Sequence, residues 1–490
     1  MNKNISRRNF LKTTALLGIS STLNANHTDE DNLLWDEEVD VIVVGSGLAG
    51  TVSSIYCAQN DLKTLMIEKN SRVGGSSILS TLEMAIVNSP MQKKANISDT
   101  PELLAKDMAK AGRGLNHYEH SLNIAKNSTR AMAFIASKGA NFHQKIKLDK
   151  GHSVARTICP INGGAKGVMK PLHKFLFSLK KFSLHVNTQA QTILKDAKGN
   201  VIGLEVIKKN TSTSKLYRYK AKAGVIYATG GYSRDQSFRT IQNPLVKNIN
   251  SSTHKEAKAD SLKYMIQSGA TPVHLSLMRF AFSIPMDIMK YGCMLNVKTT
   301  SRFVDESSSR QELAKAILMS MSQSKTKKHP IIIYDTNGVN SFSDNSLLKK
   351  YFKQKIIKKF SSLEELGTYY ELDNEKFLKE IIFYNGYVKS GVDKAFGKNF
   401  TNKIKDITKA PYYTMEVIPK LNYTQGGVLI DTKARVIDIM TNQPIKGLYA
   451  AGEATGGIHG YSRLISCSTP DCLVYGLIAA EEVLKNTQNN

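Results

Sequence analysis

The apolar residues of the chain gather in short continuous runs, and several of these runs pass directly into glycines. The runs at residues 39–44, 224–229 and 447–451 are each followed by one or more glycines. Runs that stay apolar at consecutive positions are typical of strands in a parallel sheet covered on both faces. The pattern therefore predicts an α/β protein in which three distant segments build one nucleotide-binding domain.

The first junction reads GSGLAG and has the spacing of a dinucleotide-binding turn. Gly45 permits the tight turn, Gly47 lets the backbone approach a pyrophosphate, and Gly50 lets the following helix pack closely on the strand. A second apolar run at residues 64–67 ends in Glu68, whose carboxylate is placed to bind ribose hydroxyls. Strand, glycine turn, helix and terminal acid together make this motif specific.

The charge of the chain is strongly positive, because 67 lysines and arginines face 41 aspartates and glutamates, a net charge of +26. No helix-turn-helix, zinc-finger or aromatic-basic pattern accompanies this charge, and the sequence has a single tryptophan. The composition therefore favours a lysine-rich solvated surface and no nucleic-acid partner.

Cysteine usage and hydropathy exclude further classes of protein. The five cysteines form no Cys-x-x-Cys pair, so neither a disulfide framework nor a zinc site is indicated, and no metal ligand is predicted. The chain also lacks the Cys-x-x-Cys-His signature of an attached c-type haem. No apolar run reaches 18 residues, which predicts that the chain has no transmembrane segment.

The N-terminus has the features of an export signal. Residues 6–12 read SRRNFLK, and a short apolar run and small residues follow up to Ala25. The order of these residues resembles the twin-arginine signal, which directs the export of folded proteins. We therefore expect residues 1–25 to be a signal and the mature protein to be periplasmic, with its cofactor acquired before export.

Ten ordered sequence blocks between residue 39 and the C-terminus carry a family resemblance. The blocks are residues 45–50 with Glu68, Gly74-Gly75-Ser76, Ser153-x-x-Arg156-x-x-x-Pro160, Gly163-Gly164, Ala228-Thr229-Gly230-Gly231, Arg302-Phe303-Val304-x-Glu306-x-x-x-Arg310, Gly426-Gly427-Val428, Ala450-Ala451-Gly452-Glu453, His459-Gly460-x-x-Arg463-Leu464 and Asp471. Together they resemble the flavoproteins of the fumarate reductase and succinate dehydrogenase family, above all the soluble flavocytochrome c-type fumarate reductases.

The resemblance implies an FAD cofactor. In the membrane-bound branch a histidine before the Gly-Gly pair carries the flavin covalently, whereas residues 69–73 here contain no histidine, so a non-covalent FAD is implied. The residues expected to contact it are Gly45, Gly47, Ala49, Gly50, Glu68, Lys69, Gly75, Ser76, Ser77, Ala190, Thr229, Gly230, Asp260, Glu453, Ser468 and Thr469.

The resemblance also predicts the domain organisation. A Rossmann-like FAD-binding domain would comprise residues 35–271 and 423–490, with an α+β capping domain inserted at residues 272–422. The sequence pattern supports an inserted domain, because the strand-to-glycine pattern is absent from residues 311–395 and this stretch is typical of mixed helical structure.

By resemblance, the chemistry is reduction of the C=C bond of an α,β-unsaturated carboxylate, an enoate. A hydride would come from flavin N5 and a proton from Arg310, with Asp287 and Lys290 restoring that proton. Arg463 would bind the substrate carboxylate, and cations near the reacting atoms would stabilise the charge that develops there. Arginine rarely gives up a proton, so Arg310 can act only when its neighbours reprotonate it at once.

Three departures from the family pattern bear on the substrate. Tyr423 stands where a fumarate reductase has a histidine, and residues 279–283 contain no His-Pro pair. Glu83 stands where a Gly-Gly pair would let the substrate lie against backbone. We therefore predict a mono-carboxylate substrate of the acrylate, aryl-acrylate or urocanate kind, bound by Tyr423, Glu83 and Phe282 together with Arg463, and poor reduction of fumarate.

No electron-donor domain is evident in the sequence, so the resemblance implies a separate c-type cytochrome as the donor. Two other functions stay open. One is a ketosteroid-like dehydrogenase, which Arg310 and Arg463 argue against because a ketone needs no carboxylate-binding arginine. The other is a flavin subunit that only relays electrons, a role favoured by residues 465–467, which replace the family's Gly-Gly-Asn.

Overall fold

The computed structural model describes residues 34–209, 215–342, 345–401 and 403–488. The export signal expected at residues 1–25 lies outside these ranges. Within them, no helix combines the length and the apolar character needed to cross a membrane.

The described strands are distributed among five sheets. In chain order they are β1 (Glu37–Val44), β2 (Thr64–Ile67), β3 (Met84–Ala85), β4 (Thr157–Ile158), β5 (Phe182–His185), β6 (Thr188–Lys195), β7 (Val201–Lys208), β8 (Leu216–Tyr227), β9 (Asn250–Ser251), β10 (Pro272–Val273), β11 (Met278–Phe282), β12 (Cys293–Asn296), β13 (Ser301–Arg302), β14 (Ile331–Tyr334), β15 (Lys358–Phe360), β16 (Tyr412–Glu416), β17 (Pro419–Thr424), β18 (Gly427–Val428), β19 (Arg435–Ile437) and β20 (Pro444–Ala450).

The described α-helices lie between and around these sheets. In chain order they are α1 (Leu48–Gln59), α2 (Pro90–Lys94), α3 (Pro101–Gly112), α4 (Tyr118–Ala136), α5 (Lys170–Leu176), α6 (Gln236–Gln242), α7 (Asp260–Gln267), α8 (Met286–Met289), α9 (Arg310–Gln323), α10 (Thr336–Asn340), α11 (Asn345–Lys353), α12 (Leu363–Tyr370), α13 (Asn374–Ser390) and α14 (Ser468–Gln488).

The three strands predicted before glycines lie side by side in the largest sheet, whose main order is β19-β20-β8-β1-β2-β5. β1 is parallel to both β2 and β8, and β20 is parallel to β8. Because parallel strands point their carboxyl ends to one edge, the three glycine junctions meet there. The prediction of an α/β fold with a parallel sheet is confirmed.

Small residues let the two helices behind this edge, α1 and α14, pack closely. A Cβ on Gly50 of α1 would lie 2.0 Å from the carbonyl oxygen of Gly45. Ser53 of α1 donates a hydrogen bond of 2.8 Å to the carbonyl of Gly476 in α14. Bulkier side chains at these contacts would push the helices away from the sheet edge.

A second layer of structure has its own core. The antiparallel sheet β13-β12-β14-β16-β15 supports two apolar clusters drawn from residues between Ile284 and Val417. A small sheet, β11-β17-β9, joins this layer to the large sheet. The domain boundaries predicted at residues 272 and 422 stay a prediction; residue 272 falls in β10 and residue 422 in β17.

One ion network in the first layer is completely buried. The Arg156 side chain has no exposed surface and donates from Nε and a terminal nitrogen to the two Asp99 carboxylate oxygens, at 2.8 Å each. Its other terminal nitrogen donates to Asp107 of α3 at 2.6 Å. The network therefore fixes the loop around Arg156 against α3.

Removing Arg156 should destabilise the protein, because two buried carboxylates would lose their counter-ion. We expect Arg156→Met to lower the free energy of unfolding by about 3–5 kcal/mol. The matched control is Arg218→Met, whose half-exposed guanidinium pairs with Glu205 at 3.1 Å and should contribute no more than about 1 kcal/mol. Denaturant unfolding measures both, and equal midpoints for the two variants would contradict this account.

Candidate active site

The first junction fixes an acidic group at the edge of the large sheet. Ser46 donates from its amide (3.2 Å) and its hydroxyl (2.6 Å) to one Glu68 carboxylate oxygen. Asn70 donates from its amide (3.0 Å) and its side chain (2.7 Å) to the other. The Glu68 carboxylate is therefore held in one orientation, at the entrance to a cleft.

The cleft consists of three adjoining cavities that share lining residues. The first is lined by residues that include Gly45, Glu68, Lys69, Ala190, Thr229 and Asp260. The second follows the glycine junctions and includes Gly45, Gly47, Ala49, Glu68, Gly75, Ser76, Ser77, Gly230 and Glu453. The third includes Ser76, Ser77, Tyr423, Glu453, Arg463, Ser468 and Thr469. The structure thus brings every predicted cofactor residue to one cleft, except Gly50, which packs α1 on β1.

Glu453 lies between the second and third cavities and is an unusual carboxyl group. One of its oxygens accepts hydrogen bonds from the Thr424 amide (2.8 Å) and hydroxyl (3.1 Å). Burial nevertheless raises the pKa of Glu453 to about 7, because the donors from Thr424 and the charge of Arg463 offset only part of the desolvation cost. Glu453 is therefore partly protonated near neutral pH.

This pKa predicts a pH-dependent stability for the flavin-free protein. A carboxyl group whose folded pKa lies above its unfolded value favours folding at low pH, and loses that contribution as the pH rises towards about 7. Between pH 4.5 and 8 we expect wild type to lose roughly 1–3 kcal/mol relative to Glu453→Gln. Thermal unfolding of both proteins across this range measures the difference, and parallel curves would contradict the assignment.

Three arginines converge beyond the third cavity. Arg463 lies with its guanidinium 4.8 Å from the centre of the Tyr423 ring, and Arg279 donates from Nε to the Arg463 carbonyl at 3.4 Å. Arg310 donates to the Phe280 carbonyl at 3.4 Å. All three line one further cavity, together with Lys110, Arg113 and Lys150. In the part of the chain that the structure describes, none of the three pairs with a carboxylate within 4.0 Å.

The electrostatics of this arginine cluster favour an anion. Burial and the charges of Arg463 and Arg310 hold the pKa of Arg279 well below its ordinary value. Burial and Arg463 also lower the pKa of Arg310, whereas Asp287 opposes that shift. Arg279 is only 6% exposed and donates to neutral oxygens of Arg463 and Asn422, so its charge is buried without a carboxylate partner among the described residues. A carboxylate ligand would supply the missing counter-charge.

Tyr423 is tied to a buried acid behind the arginines. Its hydroxyl donates to Asp471 Oδ2 at 3.4 Å, and His459 Nε2 donates to the same oxygen at 3.1 Å. Burial raises the pKa of Tyr423 and lowers that of His459, so both rings are held neutral. Tyr423 therefore offers the arginine cluster its ring face, while its hydroxyl is engaged by Asp471.

Asp287 of α8 lines none of the cavities described above, and three further predicted residues also lie apart from them. Glu83 accepts a hydrogen bond from the Lys147 ammonium at 2.9 Å and contacts the Cys159 sulfur at 3.5 Å. Phe282 packs between the apolar cores of the two layers. The Lys290 ammonium lies 5.1 Å from the centre of the Tyr291 ring. Roles for these three in substrate binding or proton transfer stay predictions.

The sequence analysis missed Arg279 as a candidate binding residue. Arg279 lies on β11 directly opposite Tyr423 on β17. A pairing between strands so far apart in the chain has no local sequence signal. The available signal was a charged residue between Met278 and Phe280 in an apolar strand, where an unpaired charge is costly and therefore suggests function.

One group of potential metal ligands lies outside the cleft. His117, Glu119 and His120 place one ligand atom each within 4.8 Å of one another. The Nδ1 atom of His120 is hydrogen-bonded to the hydroxyl of Tyr475, which leaves that nitrogen engaged. We therefore assign no metal to this group.

Comparison with known proteins agrees with this geometry. Residues 40–469 match the family model described as "FAD binding domain". The chain is 32% identical over 508 aligned residues to the acrylate reductase flavoprotein subunit of Shewanella woodyi, covering 98% of this chain and 99% of that protein. It is 30% identical to the fumarate reductase (cytochrome) of Shewanella frigidimarina, covering 93% of this chain and 78% of that protein. The solved open conformation of a flavocytochrome c3 fumarate reductase superposes with a TM-score of 0.79 at 26% identity, covering 99% of this chain and 83% of that one.

Proposed function

The chain belongs to the FAD binding domain family, and we propose that its substrate is a mono-carboxylate enoate of the acrylate, aryl-acrylate or urocanate kind. The chain is an FAD-dependent reductase of C=C bonds in unsaturated carboxylates. The observation that carries the proposal is the cluster of Arg279, Arg310 and Arg463, which adjoins the cleft and lacks a carboxylate partner among the described residues. The relative of similar length that is named an acrylate reductase subunit supports it.

The cleft fits FAD on the chain's own geometry. Gly45 adopts a φ of +101°, and a Cβ there would lie 2.6 Å from the Ala228 carbonyl oxygen, so the turn exists only with glycine. The Gly45 and Ser46 amides donate to Ile67 and Glu68, so the Gly47 amide and the start of α1 would bind the phosphates. Glu68 would bind the ribose hydroxyls and Glu453 the ribityl chain. We propose that attachment is non-covalent, since residues 69–73 contain no histidine.

The arginines of the cluster divide two parts of the proposed reaction, carboxylate binding and proton donation. Bound FAD, once the electron donor has reduced it, would supply the hydride that adds to one alkene carbon. Arg463 and Arg279 would bind the substrate carboxylate and stabilise the negative charge that develops on it. Arg310 would give a proton to the other alkene carbon, which completes the saturated carboxylate.

The surroundings of Arg310 suit a residue that gives up a proton and regains it. Burial and the Arg463 charge lower the pKa of Arg310, so the proton leaves more readily than from an arginine in water. The negative charge of Asp287 raises it, which favours rapid reprotonation. We propose that Asp287, together with Lys290, returns the proton from solvent.

We propose further that the electrons come from a separate c-type cytochrome and that the protein is exported folded to the periplasm. The first proposal is supported by the relative named a flavoprotein subunit and the relative named a fumarate reductase (cytochrome). The second is supported by the SRRNFLK motif at residues 6–12.

Loss of the proton donor should abolish turnover without loss of the cofactor. We expect Arg310→Gln to lower kcat for acrylate by about 10²–10⁴-fold, because Arg310 is the proposed proton donor and a positioned general acid contributes a factor of this size. The flavin absorbance spectrum should be unchanged. The control Arg435→Gln removes an arginine that pairs with Asp431 and lines none of the cavities described above. This variant should keep wild-type kcat. An active Arg310→Gln enzyme would contradict the assignment.

Loss of Arg279 should mainly weaken substrate binding. A hydrogen bond to a charged group contributes about 1.5–3 kcal/mol, so we expect Arg279→Gln to raise KM for acrylate by roughly 10–150-fold. Arg279→Lys keeps the charge and should lie between wild type and Arg279→Gln. Steady-state kinetics with a reduced dye as electron donor measures both constants, and an unchanged KM in Arg279→Gln would remove Arg279 from the site.

A further inference from the structure

Arg463 stands on a loop that is joined to the buried Arg156 network by a single histidine. We propose that His152 is a positioning residue that holds the Arg463 loop in the geometry needed for carboxylate binding. The inference rests on the proposed function of Arg463 and adds a residue that does not itself touch the substrate.

The segment that carries His152 is rigidly attached to α3. Arg156 is fully buried and pairs with Asp99 and Asp107. The two oxygens of Asp107 also accept hydrogen bonds from the Ser153 amide (2.8 Å) and hydroxyl (2.5 Å). The backbone that carries His152 is therefore held firmly against α3, and the His152 side chain is only 8% exposed.

The hydrogen bonds of His152 determine its protonation state. A terminal nitrogen of Arg156, which can only donate, lies 3.2 Å from His152 Nδ1, so Nδ1 is an acceptor. The proton of the neutral ring must then be on Nε2, which donates to the Ile465 carbonyl at 2.9 Å. Charge from the buried arginine thus strengthens the bond that His152 makes to the loop.

The loop needs this support, because the Arg463 side chain has few partners of its own. Its hydrogen bond goes to the carbonyl of the next residue, Leu464, at 3.2 Å, and its buried Nε has no partner among the described residues. The direction of the guanidinium is therefore set by the backbone around residues 463–466. That backbone is held by His152 and by the Ser466 hydroxyl, which donates to Asp149 at 2.9 Å. The Ala85 amide also donates to the Ser466 carbonyl at 2.8 Å, and Arg279 donates to the Arg463 carbonyl at 3.4 Å.

Protonation of His152 should release the loop. The charged groups that face the ring are Arg156, which disfavours protonation, and Asp107 and Asp149, which favour it. Burial is the largest influence and lowers the pKa of His152 below its ordinary value of about 6.5. Once protonated, Nδ1 would carry a hydrogen that faces the Arg156 donor, and the two would repel. Carboxylate affinity should therefore fall at acidic pH, in a range that lies below the ordinary histidine pKa of about 6.5.

The test compares His152→Leu, which cannot donate, with His152→Gln, whose amide nitrogen can donate to the Ile465 carbonyl and does not titrate. We expect His152→Leu to raise KM for acrylate at least 10-fold with kcat changed less than threefold. His152→Gln should recover KM to within about threefold of wild type. Its KM should also lack the rise that wild type shows at acidic pH. The matched control His143→Leu, at an exposed histidine, should behave as wild type.

A binding measurement separates this inference from the proposed function. The Kd of acrylate for the oxidised, FAD-loaded enzyme is obtained by titrating the flavin absorbance, which needs no turnover. The same titration is made with cinnamate and urocanate, and wild type that binds any of the three but reduces none of them would overturn the proposed function alone. Equal Kd values for wild type and His152→Leu would overturn the positioning role. A KM of His152→Gln that rises at acidic pH as that of wild type does would overturn it too. Absence of binding of all three compounds to wild type would overturn both.

Discussion

The burial of positive charge without a protein counter-ion is the constraint on which the site depends. Arg279, Arg310 and Arg463 repel one another, and burial weakens the solvation that would otherwise stabilise them. The fold holds them together only because each comes from a different, independently stabilised element. Arg279 lies on β11, Arg310 begins α9, and Arg463 lies on the loop before α14. In the proposed function, a bound carboxylate would offset the cost of this arrangement.

The two layers of the protein have distinct parts in maintaining that arrangement. The large parallel sheet gathers the three glycine junctions and so builds the cleft for FAD. The second layer contributes Arg310, whose helix begins with a capping box in which Ser309 and Glu312 bond to each other's backbone amides. β11 and β17 cross between the layers, so the arginine cluster forms where the cofactor cleft meets the second core. The proposed reaction therefore needs both layers, since Arg463 would bind the substrate and Arg310 would protonate it.

The sequence predicted best what local residue patterns determine. The turn at Gly45 to Gly50 and the acid at Glu68 follow from spacing within thirty residues, and the structure brings both to the cleft. Arg279 was not predicted, because its place in the site depends on the pairing of β11 with β17. These strands are far apart in the sequence, and their pairing is visible only in the folded chain. Glu83 was expected at the substrate, yet its carboxylate faces Lys147, while its neighbour Leu82 lines the third cavity. Adjacent side chains point in different directions, and sequence alone does not say which one faces the site.

The most direct test of the account is reoxidation of the chemically reduced, FAD-loaded enzyme by a panel of unsaturated carboxylates. Acrylate, methacrylate, cinnamate, urocanate and fumarate differ in tail and in number of carboxylates but share the reacting bond. The account predicts that at least one mono-carboxylate reoxidises the flavin with a higher kcat/KM than fumarate does. A higher kcat/KM for fumarate than for every mono-carboxylate would contradict it, and so would a flavin that none of the five reoxidises.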